Sequence, residues 1–206
     1  MKVLRIISSF PPAYAYGGPA KRAYEMSKSL VKLGHEITVY TTDVLDGHQR
    51  YADSCDNTQI DGISVFRFKN ISNCLTYNFG ISFAPKLVSA IGENIRNYDV
   101  IHCHEYRAMD AIVMYYYARK YHVQYIIQAH GQLSTDVGKS QMKRLFDKVI
   151  GKKILKDASG VFASTRVEAK QYIEMGVPEQ RIHTIPNGID ITQYASLPPE
   201  GLIRQK

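Results

Sequence analysis

Along almost the whole chain, short apolar runs alternate with stretches whose apolar residues recur at helical spacing. Strands joined through helices run parallel, because a two-residue hairpin can only reverse direction. The pattern therefore implies an α/β fold: a Rossmann-like, doubly wound, mostly parallel sheet with helices on both faces. Strands are expected over Val3–Ser9, Ile37–Thr42, Gly62–Phe68, Asp99–Cys103, Val123–Ala129, Val161–Ser164 and Arg181–Ile185. Between them, Ala20, Ala23, Tyr24, Ser27, Leu30 and Val31 form one helical face, stopped by Gly34. Leu87, Val88, Ile91 and Ile95 form a second. Met109, Ile112, Val113, Tyr116 and Tyr117 are expected to face inward on a third helix. The same is expected of Met142, Leu145, Phe146, Val149 and Ile150 on a fourth, and a last helix runs over Thr165–Met175. Asp43–Asp61 is polar and turn-rich, which reads as a surface excursion, and Lys69–Phe79 has no clear period.

A chain of 206 residues, 45% apolar and 22% charged, fits one soluble globular domain with a short tail. No apolar run is long enough to cross a bilayer. Met1–Ile7 reads as a first strand rather than a leader, since Arg5 interrupts it and Pro11-Pro12 follows where a cleavage site would stand. Three cysteines, Cys55, Cys74 and Cys103, give an odd count without a C-x-x-C pair, which points to a reducing compartment, the cytoplasm. A net charge of +7 suits an anionic partner, and nucleotide sugars, phospholipid head groups and nucleic acid all qualify on charge alone. Nucleic acid is disfavoured because no recognition module is present. Hydrolysis lacks a G-x-S-x-G elbow or a Ser/His/Asp order.

In an open parallel sheet, ligands bind at the carboxyl ends of the strands. After the first strand come Phe10-Pro11-Pro12 and then Gly17-Gly18-Pro19. The paired glycines serve either as a tight turn or as a place where a phosphate or sugar meets the backbone at a helix N-terminus. They are not the dinucleotide fingerprint, for no G-x-G-x-x-G is present. The fourth strand ends in His102-Cys103-His104-Glu105, with alternation placing both histidines on one face. Either the pair shapes the cleft or it binds metal, but zinc needs three or four ligands and no second cluster supplies them. The fifth strand ends in Gln128-Ala129-His130-Gly131, where His130 is a structural residue or touches a ligand. Lys139, Lys143, Arg144, Lys148, Lys152, Lys153 and Lys156 make the following helix basic, either as a solvated face or as a surface for anionic lipid.

Taken in order, these segments resemble the N-terminal domain of glycosyltransferase family 4. The residues that carry the resemblance begin with Phe10-Pro11-Pro12, Gly17-Gly18 and Leu33-Gly34-His35-Glu36-Ile37-Thr38-Val39. They continue with Asp99-Val100-Ile101-His102-Cys103-His104, Ala129-His130-Gly131, Ala158 through Ser164 and Glu168. Gly176-Val177-Pro178 and Ile185-Pro186-Asn187-Gly188-Ile189-Asp190 complete the set. The resemblance implies the N-terminal half of a GT-B fold, an acceptor-side domain over residues 1–190, with 191–206 leading into a donor-binding domain. The family's paired glutamates of that second domain are absent from the 206 residues. A retaining transfer from a nucleotide-sugar donor to a glycan, lipid-linked or small-molecule acceptor is implied, without a metal or other cofactor. The implied catalytic residue is His130, beside the donor sugar. Gly17, Gly18, His104, Gly131, Ser164 and Asn187 are the implied donor- or acceptor-binding residues. Two alternatives stay open: a non-catalytic subunit of a split transferase, and half of a sugar-nucleotide epimerase. The basic helix adds a peripheral position at the inner face of the plasma membrane as a further expectation.

Overall fold

The computed structural model of the chain describes residues 1–51, 57–134 and 140–188. Cys55, Lys139 and the domain boundary expected after Asp190 lie outside these described residues. Eight strands form one sheet in the order β3-β4-β2-β1-β5-β6-β7-β8. They are β1 (Lys2–Ile6), β2 (Glu36–Thr42), β3 (Asn57–Ile60), β4 (Ile63–Phe68), β5 (Val100–Cys103), β6 (Gln124–Gln128), β7 (Gly160–Ala163) and β8 (Ile182–Thr184). Every pairing is parallel except β3 with β4, an antiparallel edge. The α/β, doubly wound expectation holds.

Helices α1 (Gly18–Lys32), α2 (Asn73–Phe79), α3 (Pro85–Asn94) and α4 (Met109–Tyr121) connect the first six strands. After β6, α5 (Ser140–Phe146) passes through a π turn (Asp147–Gly151) into α6 (Lys152–Asp157), and α7 (Arg166–Glu174) follows β7. Side chains of a strand alternate between sheet faces. Leu4 and Ile6 of β1 accordingly join a large core with Ile101, Ile127, Val161, Leu87, Ile91, Met114 and Ile154. Val3 and Ile7 belong to a smaller core with Ile37, Val39, Val65 and Ala23 of α1.

Four expectations need correction. Asp43–Asp61 is not merely a surface excursion: it contains β3, and Asp43 is buried, paired with Arg50 at 3.0 Å and accepting from the Asn70 backbone. Lys69–Phe79 contains α2, capped by the Ser72 hydroxyl and ended by Gly80 in the left-handed region. On α4, Ile112, Val113 and Tyr117 do pack against the large core, but the fully buried residues are Asp110, Ala111, Met114, Tyr115 and Ala118, and Met109 and Tyr116 are exposed. Three consecutive tyrosines give that helix apolar surface all round, so its spacing alone leaves the phase open. On α5 and its π turn, Phe146 and Ile150 pack against the core as expected, but Met142, Leu145 and Val149 face out, whereas Asp147 and Gly151, with Ile154 and Leu155 of α6, are buried. There a buried carboxylate replaces the apolar residue that periodicity favours: Asp147 is held by Arg107 at 2.6 Å and by the Tyr106 hydroxyl.

Candidate functional site

The chain runs outward from β1 to β2 and β4, then returns to β5 on the other side of β1, so strand order reverses between β1 and β5. The loops after β1, β5, β6 and β7 converge at that end of the sheet. A cleft of about 410 Å³ there is lined by Gly18, Pro19, Arg22, His130, Gly131, Ser164, Thr165, Glu168 and Asn187, among others. Of the residues the sequence singled out, Gly18, His130, Gly131, Ser164 and Asn187 meet in this one cleft. Gly17 adjoins it as the N-cap of α1, at φ 87°, a conformation natural to glycine. Gly18 and Pro19 open the helix, so its unpaired N–H groups and positive end point at the cleft.

His104 is placed differently from the other six. It is fully buried behind His130, so its part in the site runs through that neighbour rather than through contact with a ligand. His130 follows β6 with φ 50° and Gly131 with φ 79°, a left-handed pair that swings the imidazole over the strand end. Such backbone is costly for a residue with a Cβ and persists where surroundings enforce it. Here Glu168 enforces it: its carboxylate accepts from Gly131 N at 2.8 Å and Ser164 N at 2.6 Å, tying the β6 and β7 loops together. With both oxygens engaged and the residue buried, Glu168 holds the frame and is not free to act as a general base.

Two arginines that the sequence reading did not single out for the site complete it. Arg22, on the second turn of α1, donates to the Ser164 hydroxyl at 2.5 Å and to the Ile185 carbonyl at 2.6 Å. Gln128, with its carbonyl turned to Arg22, accepts from the same guanidinium at 2.9 and 3.1 Å. Arg5, inside β1, is buried and lies 3.0 Å from His104 Nε2, and His104 Nδ1 lies 3.0 Å from His130 Nε2. His102 stacks on His104 with ring centroids 4.1 Å apart. Burial, followed by the charges of Arg22 and Arg5, pulls the His130 pKa down to about 4. Burial also holds His102 and His104 well below the ordinary histidine range. All three imidazoles are neutral at pH 7 while both arginines keep their charge. The cleft thus offers an anion the N-terminus of α1 and Arg22, and offers a hydroxyl the neutral ring of His130. Among the described residues, no group of three or more His, Cys, Asp or Glu side chains is placed to hold a metal ion. A sequence signal for the arginines was present: Arg5 is a charge inside an otherwise apolar strand, and Arg22 follows the glycine pair by one helical turn.

Residues 16–193 match Glycosyltransferase Family 4. The chain belongs to glycosyltransferase family 4. Its fold is also found in HepE from Anabaena, solved in complex with UDP-glucose, with a TM-score of 0.67 at 21% identity. That match covers 100% of this chain and 49% of HepE, so this family 4 chain spans about half the length of that protein. A UDP-GlcNAc 2-epimerase from Methanocaldococcus jannaschii is similar at a TM-score of 0.51 and 14% identity, over 91% of this chain and 46% of that one. At such identities the likeness is one of fold, here the Rossmann-like half of the GT-B plan. No curated protein matches this family 4 sequence. Among the described residues, no helix is long and apolar enough to cross a membrane.

Proposed function

We propose that this family 4 domain forms the acceptor side of a glycosyltransferase that moves a sugar from a nucleotide-sugar donor without a metal ion. The observation that carries the reading is the cleft itself, where a neutral His130, Arg22 and the N-terminus of α1 converge at the strand-order switch. A nucleoside diphosphate is an anion, and Arg22 with the helix N-terminus supplies the positive potential that its departure needs. His130 stands where a ring N–H can donate to a hydroxyl of the donor sugar and favour the oxocarbenium-like transition state. The UDP-glucose held by HepE supports a uridine-type donor, and the half-length match supports a second domain that closes over the nucleotide. Retention of anomeric configuration is part of this proposal, carried by the sequence resemblance alone.

The test uses the natural full-length protein with a panel of UDP-, GDP- and ADP-sugars, reading nucleoside diphosphate release. Transfer from one of them is expected. His130→Ala is expected to lower kcat by roughly 10²- to 10³-fold, the usual cost of one transition-state hydrogen-bond donor, with little change in thermal midpoint. Wild-type turnover in that variant would remove His130 from the chemistry.

A specific surface favours a lipid-linked acceptor reached from a membrane, at the cytoplasmic face. Met142, Leu145 and Val149 project outward from α5 and the π turn at 65, 63 and 62% exposure, beside exposed Arg144, Lys148, Lys152 and Lys153. An apolar stripe edged by cations is the composition of a helix that lies in an anionic lipid interface.

A further inference from the structure

We propose that Arg5 is a positioning residue: through His104 it dictates that the cleft-facing nitrogen of His130, Nδ1, carries the proton. The inference rests on the preceding reading for its consequence in catalysis, but not for the tautomer itself.

The argument follows the hydrogen-bond capacities along the row. A guanidinium has five N–H donors and no acceptor. With Arg5 NH1 3.0 Å from His104 Nε2, that nitrogen must accept, so the single proton of a neutral His104 sits on Nδ1. His104 Nδ1 is 3.0 Å from His130 Nε2, so His130 Nε2 accepts in turn and its own proton sits on Nδ1. The two imidazole planes differ by 11°, which suits an in-plane N–H···N bond. Among the described residues, His130 Nδ1 has no hydrogen-bond partner, and His130 lines the cleft. The row therefore ends in a donor aimed at whatever occupies that cleft.

Protonation states agree with this order. Burial lowers the Arg5 pKa only to about 9, so it remains a donor at neutral pH. Both histidines stay neutral, so neither can escape the choice by carrying two protons. Arg5 is also expensive where it stands. It is buried within β1, and its Nε has no partner. A methionine would fill the strand position without the desolvation cost of a charge. A purpose beyond packing is the simplest account of an arginine there, and the fixed direction of the row supplies one.

The experiment is nitrogen NMR of the full-length protein carrying ¹⁵N-labelled histidine, at pH 7.5, with His130 assigned by its loss in His130→Gln. Wild-type protein is expected to show a protonated Nδ1 and an unprotonated Nε2 for both His104 and His130. Arg5→Met is expected to release His130 from that single tautomer, while Arg5→Lys, which keeps a cationic donor, retains it. A protonated Nε2 on His130 in the wild type overturns the proposal, as does an Arg5→Met spectrum unchanged at His130. Should Arg5→Met fail to fold, the wild-type spectrum still decides, and His104→Phe cuts the row at its middle with the same expected release. Turnover separates the two layers. A loss of kcat of about tenfold or more in Arg5→Met, with donor KM changed less, supports both. A changed tautomer with unchanged turnover upholds the row and sinks the placement of His130 beside the donor sugar.

Discussion

His104 and His130 lead from buried Arg5 to the cleft with His102 stacked on His104, and the neutrality of all three ties the stability of the fold to pH. In the unfolded chain each would take up a proton near pH 6.5. In the folded chain His130 does so only near pH 4, and the other two are held well below the ordinary range. Between about pH 6.5 and 4 the unfolded state therefore binds more protons, and stability falls as pH falls. Two carboxyl groups act the other way: burial raises Asp110 to about 7 and also raises Glu105, so each binds protons more readily when folded. Their contribution is lost as pH rises through that range. His130 alone is worth on the order of 3 kcal/mol across its window, and the depressed His102 and His104 act in the same direction. Urea midpoints measured from pH 7.5 down to 4.5 are expected to fall steadily below pH 6.5, less steeply in His130→Gln. A pH dependence equally steep in His130→Gln would show that this imidazole is not held neutral.

The outward stripe on α5 and the π turn makes its prediction at the level of the element. Met142→Glu with Leu145→Glu alters exposed positions, so the fold is expected to keep its stability within about 0.5 kcal/mol. Each apolar side chain removed from an interface forfeits ~1.5–3 kcal/mol of transfer energy, so co-sedimentation with anionic vesicles should drop by at least tenfold. Wild-type binding should weaken with added salt and with neutral lipid. Binding indifferent to salt, lipid charge and the double substitution would dispose of the membrane surface. The same helix marks where sequence ceased to be legible. Strands and helices with a clean period, such as β2 and α1, were readable because burial of one face dictates their spacing. The face of α5 was not, since the burial of Asp147 depends on Arg107 and Tyr106, about forty residues away. The polar knot of Asp43, Arg50 and Asn70 escaped for a like reason: its order comes from hydrogen bonds across loops, which leave no periodicity. In the site, His130 and Gly131 are marked by their place at a strand end, and Ser164 by the family resemblance. Arg5 and Arg22 matter through partners that only the fold brings near.

At the scale of the whole molecule, β1 is the member common to everything described. Its side chains feed both cores, Leu4 and Ile6 one, Val3 (with Ile7 just beyond the strand) the other, and Arg5 underlies the histidine row. Strand β2 is shared in the same way, with Tyr40 in the larger core and Ile37 and Val39 in the smaller. Neither core can be lost while these strands remain paired in register, so both are expected to melt together. Leu87→Ala in the larger core and Ile37→Ala in the smaller should each cost about 2–5 kcal/mol. Both should displace one common transition, seen alike by far-UV circular dichroism and by tyrosine fluorescence, since the chain carries 15 tyrosines and no tryptophan. Two resolved transitions, each moved by only one of the substitutions, would mean that the cores are separate units. The carboxyl end of β1 would then not hold the α1 N-terminus and His130 in one frame, and a cleft built from both could not be preorganised. A single transition places site and scaffold under one cooperative unit, as a cleft whose donors must be in place before the sugar arrives requires.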